Sequence, residues 1–238
     1  MKHVAFYLLF ILCALNISAQ ECCKTEGIAC CDSIDILCCD SIITDSMGID
    51  AAIRACVALR NAVATNDSAA IKQSAEALKT AGTTNFHSLR CRDDSIASLN
   101  GHLIFDEAFA DSLAEGKDVY GKADYMNRSS ARRGQTSDGS ILTKTCFVKA
   151  GKSTKYSFLS KGHQELAVVA EAGGLVTMRI RVTNSAGLDE RHDDTKAVKI
   201  GLPQRKTSFE LPTDRRNTVE LEVINCGKKD CSFVVISN

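Results

Sequence analysis

Tryptophan is absent and aromatic residues make up only 5% of the chain, so a stacking platform for sugars or bases is poorly supplied. Proline occurs twice and charged side chains account for 24%, a composition that argues against wholesale disorder. An excess of either charge is missing too. The 29 basic and 29 acidic side chains cancel and the pI is near 6.9, which removes the electrostatic case for a nucleic-acid binder. Only one long apolar run exists, Val4 to Leu15, and it is shorter than the ~20 residues of a membrane-spanning helix. The sequence has no Gly-x-Ser-x-Gly elbow, His-Glu-x-x-His pair, Walker loop or dinucleotide fingerprint.

What is present begins with that run. Lys2 and His3 precede it and Ile17-Ser18-Ala19 follows it, the order of a secretory signal with a small residue at the cleavage point. Residues 1–19 are expected to be removed, leaving a chain that starts near Gln20 and enters a secreted, periplasmic or cell-surface compartment. Glu21 precedes Cys22, which disfavours lipidation there. An oxidising compartment also accounts for the 12 cysteines, far more than a reduced cytosolic protein of 238 residues carries.

The next segment, an arm over 20–46, is acidic. Residues 20–50 carry seven acids against Lys24 alone, whereas residues 141–238 carry 16 basic and 11 acidic side chains. Within the arm Cys22-Cys23, Cys30-Cys31 and Cys38-Cys39 recur every eight residues. Adjacent cysteines are poorly placed to bond to each other, so each pair sends its sulfurs elsewhere. Three readings stay open: a disulfide-stapled arm, thiols that cross-link copies of the chain, and a soft-metal thiolate cluster.

Residues 47–126 read as a helical domain. Ile49, Ile53, Cys56, Val57 and Val63 share a face at helical spacing, and Ile71, Ala75 and Leu78 make a second stripe. Asp67 or Ser68 caps the second helix and Gly82 ends it. Residues 83–101 show no clear period. His102 to Phe105 reads as a short strand or extended packing segment, Asp106 caps a short helix with Phe109 and Leu113, and Val119 to Met126 suggests one more helical stretch. The helical hairpin brings Cys56 and Cys91 towards one end and suggests that they pair. Residues 127–140 are polar, a linker by composition, with Arg132-Arg133 as a possible protease site.

Residues 141–238 alternate short apolar-patterned segments with turns. Strands are expected near 142–149, 154–160, 164–171, 175–183, 195–200, 206–211, 217–225 and 231–237. Alternation is clear in Val176, Met178, Ile180 and Val182 against Leu175, Thr177, Arg179 and Arg181, and in Val219, Leu221 and Val223 against Glu220 and Glu222. The fold class expected is therefore α+β in two modules: a helical hairpin region followed by an antiparallel β-sandwich or jelly roll. Four residues separate Cys226 from Cys231, which reads as a hairpin closed by a disulfide; the competing reading gives both thiols other partners, or a metal shared with His163 or His192. Asp189, Glu190, Asp193 and Asp194 crowd one expected loop and offer oxygen ligands suited to calcium, set against an ordinary solvated loop. His87 and Cys91, four apart, and Glu107 and Asp111, one helical turn apart, read as surface pairs rather than a catalytic dyad.

The succession Phe147-Val148-Lys149-Ala150-Gly151, Tyr156-Ser157-Phe158, Met178 to Val182 before Ala186-Gly187, Ser208-Phe209-Glu210-Leu211 and Glu220 to Asn225 resembles the bacterial pre-peptidase C-terminal domain. That resemblance covers about 40% of the chain and implies a secreted β-sandwich with binding, solubility or secretion roles rather than catalysis. The signal ending Ser-Ala-Gln resembles those of Bacteroidetes-type secreted proteins. Asp-Ser followed by an apolar residue is similar to the O-glycosylation signal of that group, which implies decoration at Ser33, Ser41, Ser46, Ser68, Ser95 and Ser112; helix capping is the competing reading for such a pair.

These readings converge on a secreted or cell-surface, non-catalytic binding or adhesion protein that engages a glycan or an extracellular protein through its sandwich. The alternative is a cysteine-dependent role for the arm in cross-linking, redox response or soft-metal binding, with a disulfide-linked oligomer as one form. No cofactor is expected beyond calcium at the acidic loop.

Overall fold

The computed structural model describes residues 48–86, 88–90, 99–119, 141–183, 189–193 and 201–238. The expected signal, the cysteine arm, the linker and the helical stretch expected beyond Val119 lie outside them. From Thr44 to Asn238 the chain forms one compact unit.

Two helices open it, α1 (Ile49–Thr65) and α2 (Ser68–Thr80). Asn66 adopts a left-handed conformation at the end of α1, a geometry asparagine tolerates well. Asp67 then caps α2, accepting from the backbone N–H groups of Ala69 and Ala70 at 3.0 Å. Strand β1 (Thr83–Asn85) follows, then α3 (Glu107–Ala114), capped by Asp106 in the same way. The segment Leu103–Asp106 between them is irregular and its Leu103, Ile104 and Phe105 are buried, so of the two readings of 102–105 the packing segment holds and the strand does not.

Eight further strands complete two sheets: β2 (Ile141–Val148), β3 (Ser153–Ser160), β4 (Gly162–Ala170), β5 (Val176–Thr183), β6 (Asp189–Asp193), β7 (Gln204–Leu211), β8 (Asn217–Asn225) and β9 (Cys231–Ser237). Sheet A has the order β1-β2-β9-β4-β7 and sheet B the order β3-β8-β5-β6. All pairings are antiparallel except β1 on β2. Residues expected as an acidic loop are thus strand β6, while the strand expected at 195–200 lies outside the described residues.

The two sheets enclose a core of Tyr156, Phe158, Leu166, Val168, Met178, Ile180, Leu221, Val223, Phe233 and Val235, all buried. A second core lies on the other face of sheet A, where Ala167, Val169, Val234 and Ile236 meet Ile53, Leu59, Leu78, Phe105 and Phe109 from the helical segment. Each large apolar side chain so buried contributes about 1.5–3 kcal/mol. The result is a β-sandwich with a helical layer packed on one sheet. The helices and the sandwich share a core rather than standing as separate modules.

Candidate functional site

The helical layer is fixed to sheet A by polar groups as well as apolar contact. Glu171, just past β4, accepts from the backbone N–H of Leu103 at 3.1 Å and of Ser232 at 2.8 Å. Its carboxylate also meets His102 Nδ1 at 2.6 Å, and the His102 ring stands edge-on to Phe147. The Ser232 hydroxyl donates to the Leu103 carbonyl at 2.7 Å, and the Phe105 N–H donates to the Thr145 hydroxyl at 3.0 Å. Three polar side chains of sheet A thereby satisfy an irregular backbone that crosses its face, as a buried segment requires. Buried Cys231 lies nearby, its thiol pushed up to about 12 by desolvation and by the Glu171 charge. Glu171, Ser232 and Thr145 together form a latch that holds residues 103–105 on sheet A.

Sheet B differs. Its inward positions are mostly apolar, and its outward positions are mostly polar and form rows across the strands, with Leu159 and Ile224 the apolar exceptions. Lys155 on β3 stands opposite Glu222 on β8, and Glu222 opposite Arg179 on β5. The next row runs Ser157, Glu220, Arg181, and the next Leu159, Thr218, Thr183. Arg179 and Glu222 form an ion pair at 3.7 Å, with the arginine side chain 53% exposed and the glutamate 22%. At that separation the pair is no hydrogen bond and contributes little stability. Among the described residues no helix covers this face. It offers donors and acceptors on a rigid lattice, with strands ~4.8 Å apart and same-face residues ~6.8 Å apart along each strand.

Most of the residues singled out in the sequence are dispersed by the fold. Cys226 and Cys231, expected to pair across a hairpin, are both free thiols, the first exposed and the second buried. The hairpin premise fails because β8 lies in sheet B and β9 in sheet A: the four residues between the cysteines carry the chain from one sheet to the other. Cys56 is a free, fully buried thiol in the helical core, pushed up to about 12 by desolvation, and Cys91 lies outside the described residues. So do Cys22, Cys23, Cys30, Cys31, Cys38 and Cys39, and also His87, Asp194, Ser33, Ser41, Ser46 and Ser95.

The acidic group is redistributed as well. Register sets Asp189 opposite Thr183, Glu190 opposite Val182 and Asp193 opposite Arg179. Among the described residues no group of three or more His, Cys, Asp or Glu side chains is arranged to hold a metal. His163 is exposed and meets Glu210 Oε1 at 2.6 Å; β4 neighbours β9, but the register sets His163 at the opposite end of the pair from Cys231. Ser68 is exposed at the first position of α2, and Ser112 is half-buried within α3. The latch residues Glu171, Ser232 and Thr145 were not legible as a group; the one signal was a polar Ser232 inside an otherwise apolar strand.

No protein-family model and no curated protein matches the chain. Among solved structures, the Yersinia pseudotuberculosis-derived mitogen is 8% identical, with 41% of this chain and 84% of that one covered and a TM-score of 0.32. The CBM22-1 xylan-binding domain from Paenibacillus barcinonensis is 10% identical, over 44% of this chain and 88% of that one, with a TM-score of 0.24. The periplasmic inhibitor of g-type lysozyme from Aeromonas hydrophila is 11% identical, over 44% and 91%, with a TM-score of 0.27. The chain is similar to each of these over less than half its length.

Proposed function

We propose that this is a secreted or cell-surface, non-catalytic binding protein that engages a glycan or an extracellular protein through sheet B. The observation that carries the reading is the asymmetry of the sandwich. One outer sheet face is occupied by the chain's own helices, while the other presents ordered polar rows. The resemblance to the pre-peptidase C-terminal domain, a non-catalytic sandwich, agrees with it. The test is a glycan array probed with the mature chain and with an Arg179→Ala, Glu220→Ala variant. Binding that the variant loses is the expected outcome. Turnover on a hydrolase substrate panel, abolished by a single side-chain change, would replace the reading with an enzymatic one.

A further inference from the structure

At one end of the sandwich two loops distant in sequence are stapled together. Asn225, 1% exposed, donates through Nδ2 to the Lys229 carbonyl at 2.8 Å and to the Val148 carbonyl at 3.3 Å, and its Oδ1 accepts from the Gly227 N–H at 2.8 Å. The Asn225 N–H donates to the Lys152 carbonyl, and Asp230 Oδ1 accepts from the Ala150 N–H, both at 2.9 Å. The 149–152 turn and the 226–230 crossover are therefore held side by side, and each carries two lysines: Lys149 and Lys152 on one, Lys228 and Lys229 on the other. All four are exposed.

Lys155 continues the group onto sheet B. It is exposed, and among the described residues neither it nor any of the four loop lysines has a salt-bridge partner. Arg179 lies two strands further along the same row. Asp230 is the one acid in the two loops, Glu222 is recessed between Lys155 and Arg179, and the row ends at Asp193, opposite Arg179 on the edge strand β6. An approaching ligand thus meets ammonium and guanidinium groups first. Holding five unpaired lysines together is electrostatically unfavourable without a partner.

We infer that this basic stripe binds an acidic polysaccharide of the uronate class, its carboxylates lying along Lys228, Lys229, Lys149, Lys152, Lys155 and Arg179. The inference rests on the sandwich being a binding module and names the chemistry of its ligand. The stripe turns from the loop tip onto the sheet face, a path that a linear polymer can follow and a flat membrane cannot. The exposed apolar residue beside it, Leu175 at 40%, is too small an anchor for a lipid surface. Arg179, whose ion pair to Glu222 is long, keeps its planar fork of donors for a carboxylate.

The experiment titrates the mature chain with polygalacturonate, dextran sulfate, neutral galactan and vesicles of equal parts phosphatidylglycerol and phosphatidylcholine, at low and raised salt. Binding to polygalacturonate that weakens as salt rises is expected. Replacing Lys149, Lys152, Lys228 and Lys229 by Gln should weaken it about tenfold or more with an unchanged unfolding midpoint. Replacing Lys228 and Lys229 by Glu, which leaves Asn225 and Asp230 in place, should do so as well. Preference for dextran sulfate, or for vesicles, would overturn the uronate assignment. Binding to neutral galactan that the lysine variants leave intact would overturn the stripe but keep the sandwich as a glycan module. Binding to none of the four overturns the stripe, and the glycan array then decides the broader reading separately.

Discussion

Sheet A and sheet B are built from strands of similar length, yet one is interior and the other is a surface. Strand β9, central in sheet A, reads Cys-Ser-Phe-Val-Val-Ile-Ser, and all seven residues are buried. Strand β8, central in sheet B, reads Asn-Thr-Val-Glu-Leu-Glu-Val-Ile-Asn, and only every second residue is buried. An unbroken apolar run marks a strand covered on both faces; an alternating one marks a strand with a wet face. Strand β4 carries the same mark as β9 in Leu166-Ala167-Val168-Val169-Ala170. The helical layer is what the second apolar face requires. The wet face of sheet B requires no such cover.

The sharpest way to break this contrast is to put a charge on the covered face. Ile236→Asp would place a carboxylate between sheet A and the helices with no partner, at a cost of more than ~4 kcal/mol. The expected outcome is a protein that fails to fold, read by loss of near-ultraviolet circular dichroism. Next is the latch: Glu171→Ala leaves the Leu103 and Ser232 N–H groups without their acceptor and should cost about 2–3 kcal/mol in urea unfolding.

The buried thiols give a pH test. Burial pushes Cys56 up to about 12, from 9.0 when the chain is unfolded. The folded state then holds a proton that the unfolded state releases between those values. Stability is fully present below about pH 9 and falls as pH rises towards 12. Cys56→Ala should flatten that decline, measured as urea midpoints across the range. The smallest effect is expected on sheet B, where Arg179→Gln should change stability by no more than ~0.5 kcal/mol. A large loss there would mean that the polar rows are structural after all.

The sequence was most legible where local chemistry decides. The helical stripes and the Asp67 and Asp106 caps anticipate α1, α2 and α3, and the alternation of β5 and β8 anticipates their buried and wet faces. It was least legible where pairing across the fold decides. The short link from Cys226 to Cys231 has the length of a hairpin loop, yet it crosses between sheets, because β9 finds better partners in β2 and β4. Asp189–Asp193 has the composition of a loop, yet it pairs along β5 at the sheet edge, where a charged strand is tolerated. The latch joins Glu171 just past β4, Thr145 on β2 and Ser232 on β9 to the backbone at 103–105, and no spacing announces such a meeting.

The claim that most needs testing is that the helical layer and the sandwich are one cooperative unit, leaving sheet B as the free sheet face. Native-state hydrogen exchange of the mature chain, read by mass spectrometry on peptides from α1 and β9, tests it directly. The account predicts that the most protected amides of both peptides open with the same free energy and respond alike to added urea. Amides of α1 that exchange through an opening cheaper by ~2 kcal/mol or more, while β9 stays protected, would show a sandwich that stands without its helices, and would contradict the account.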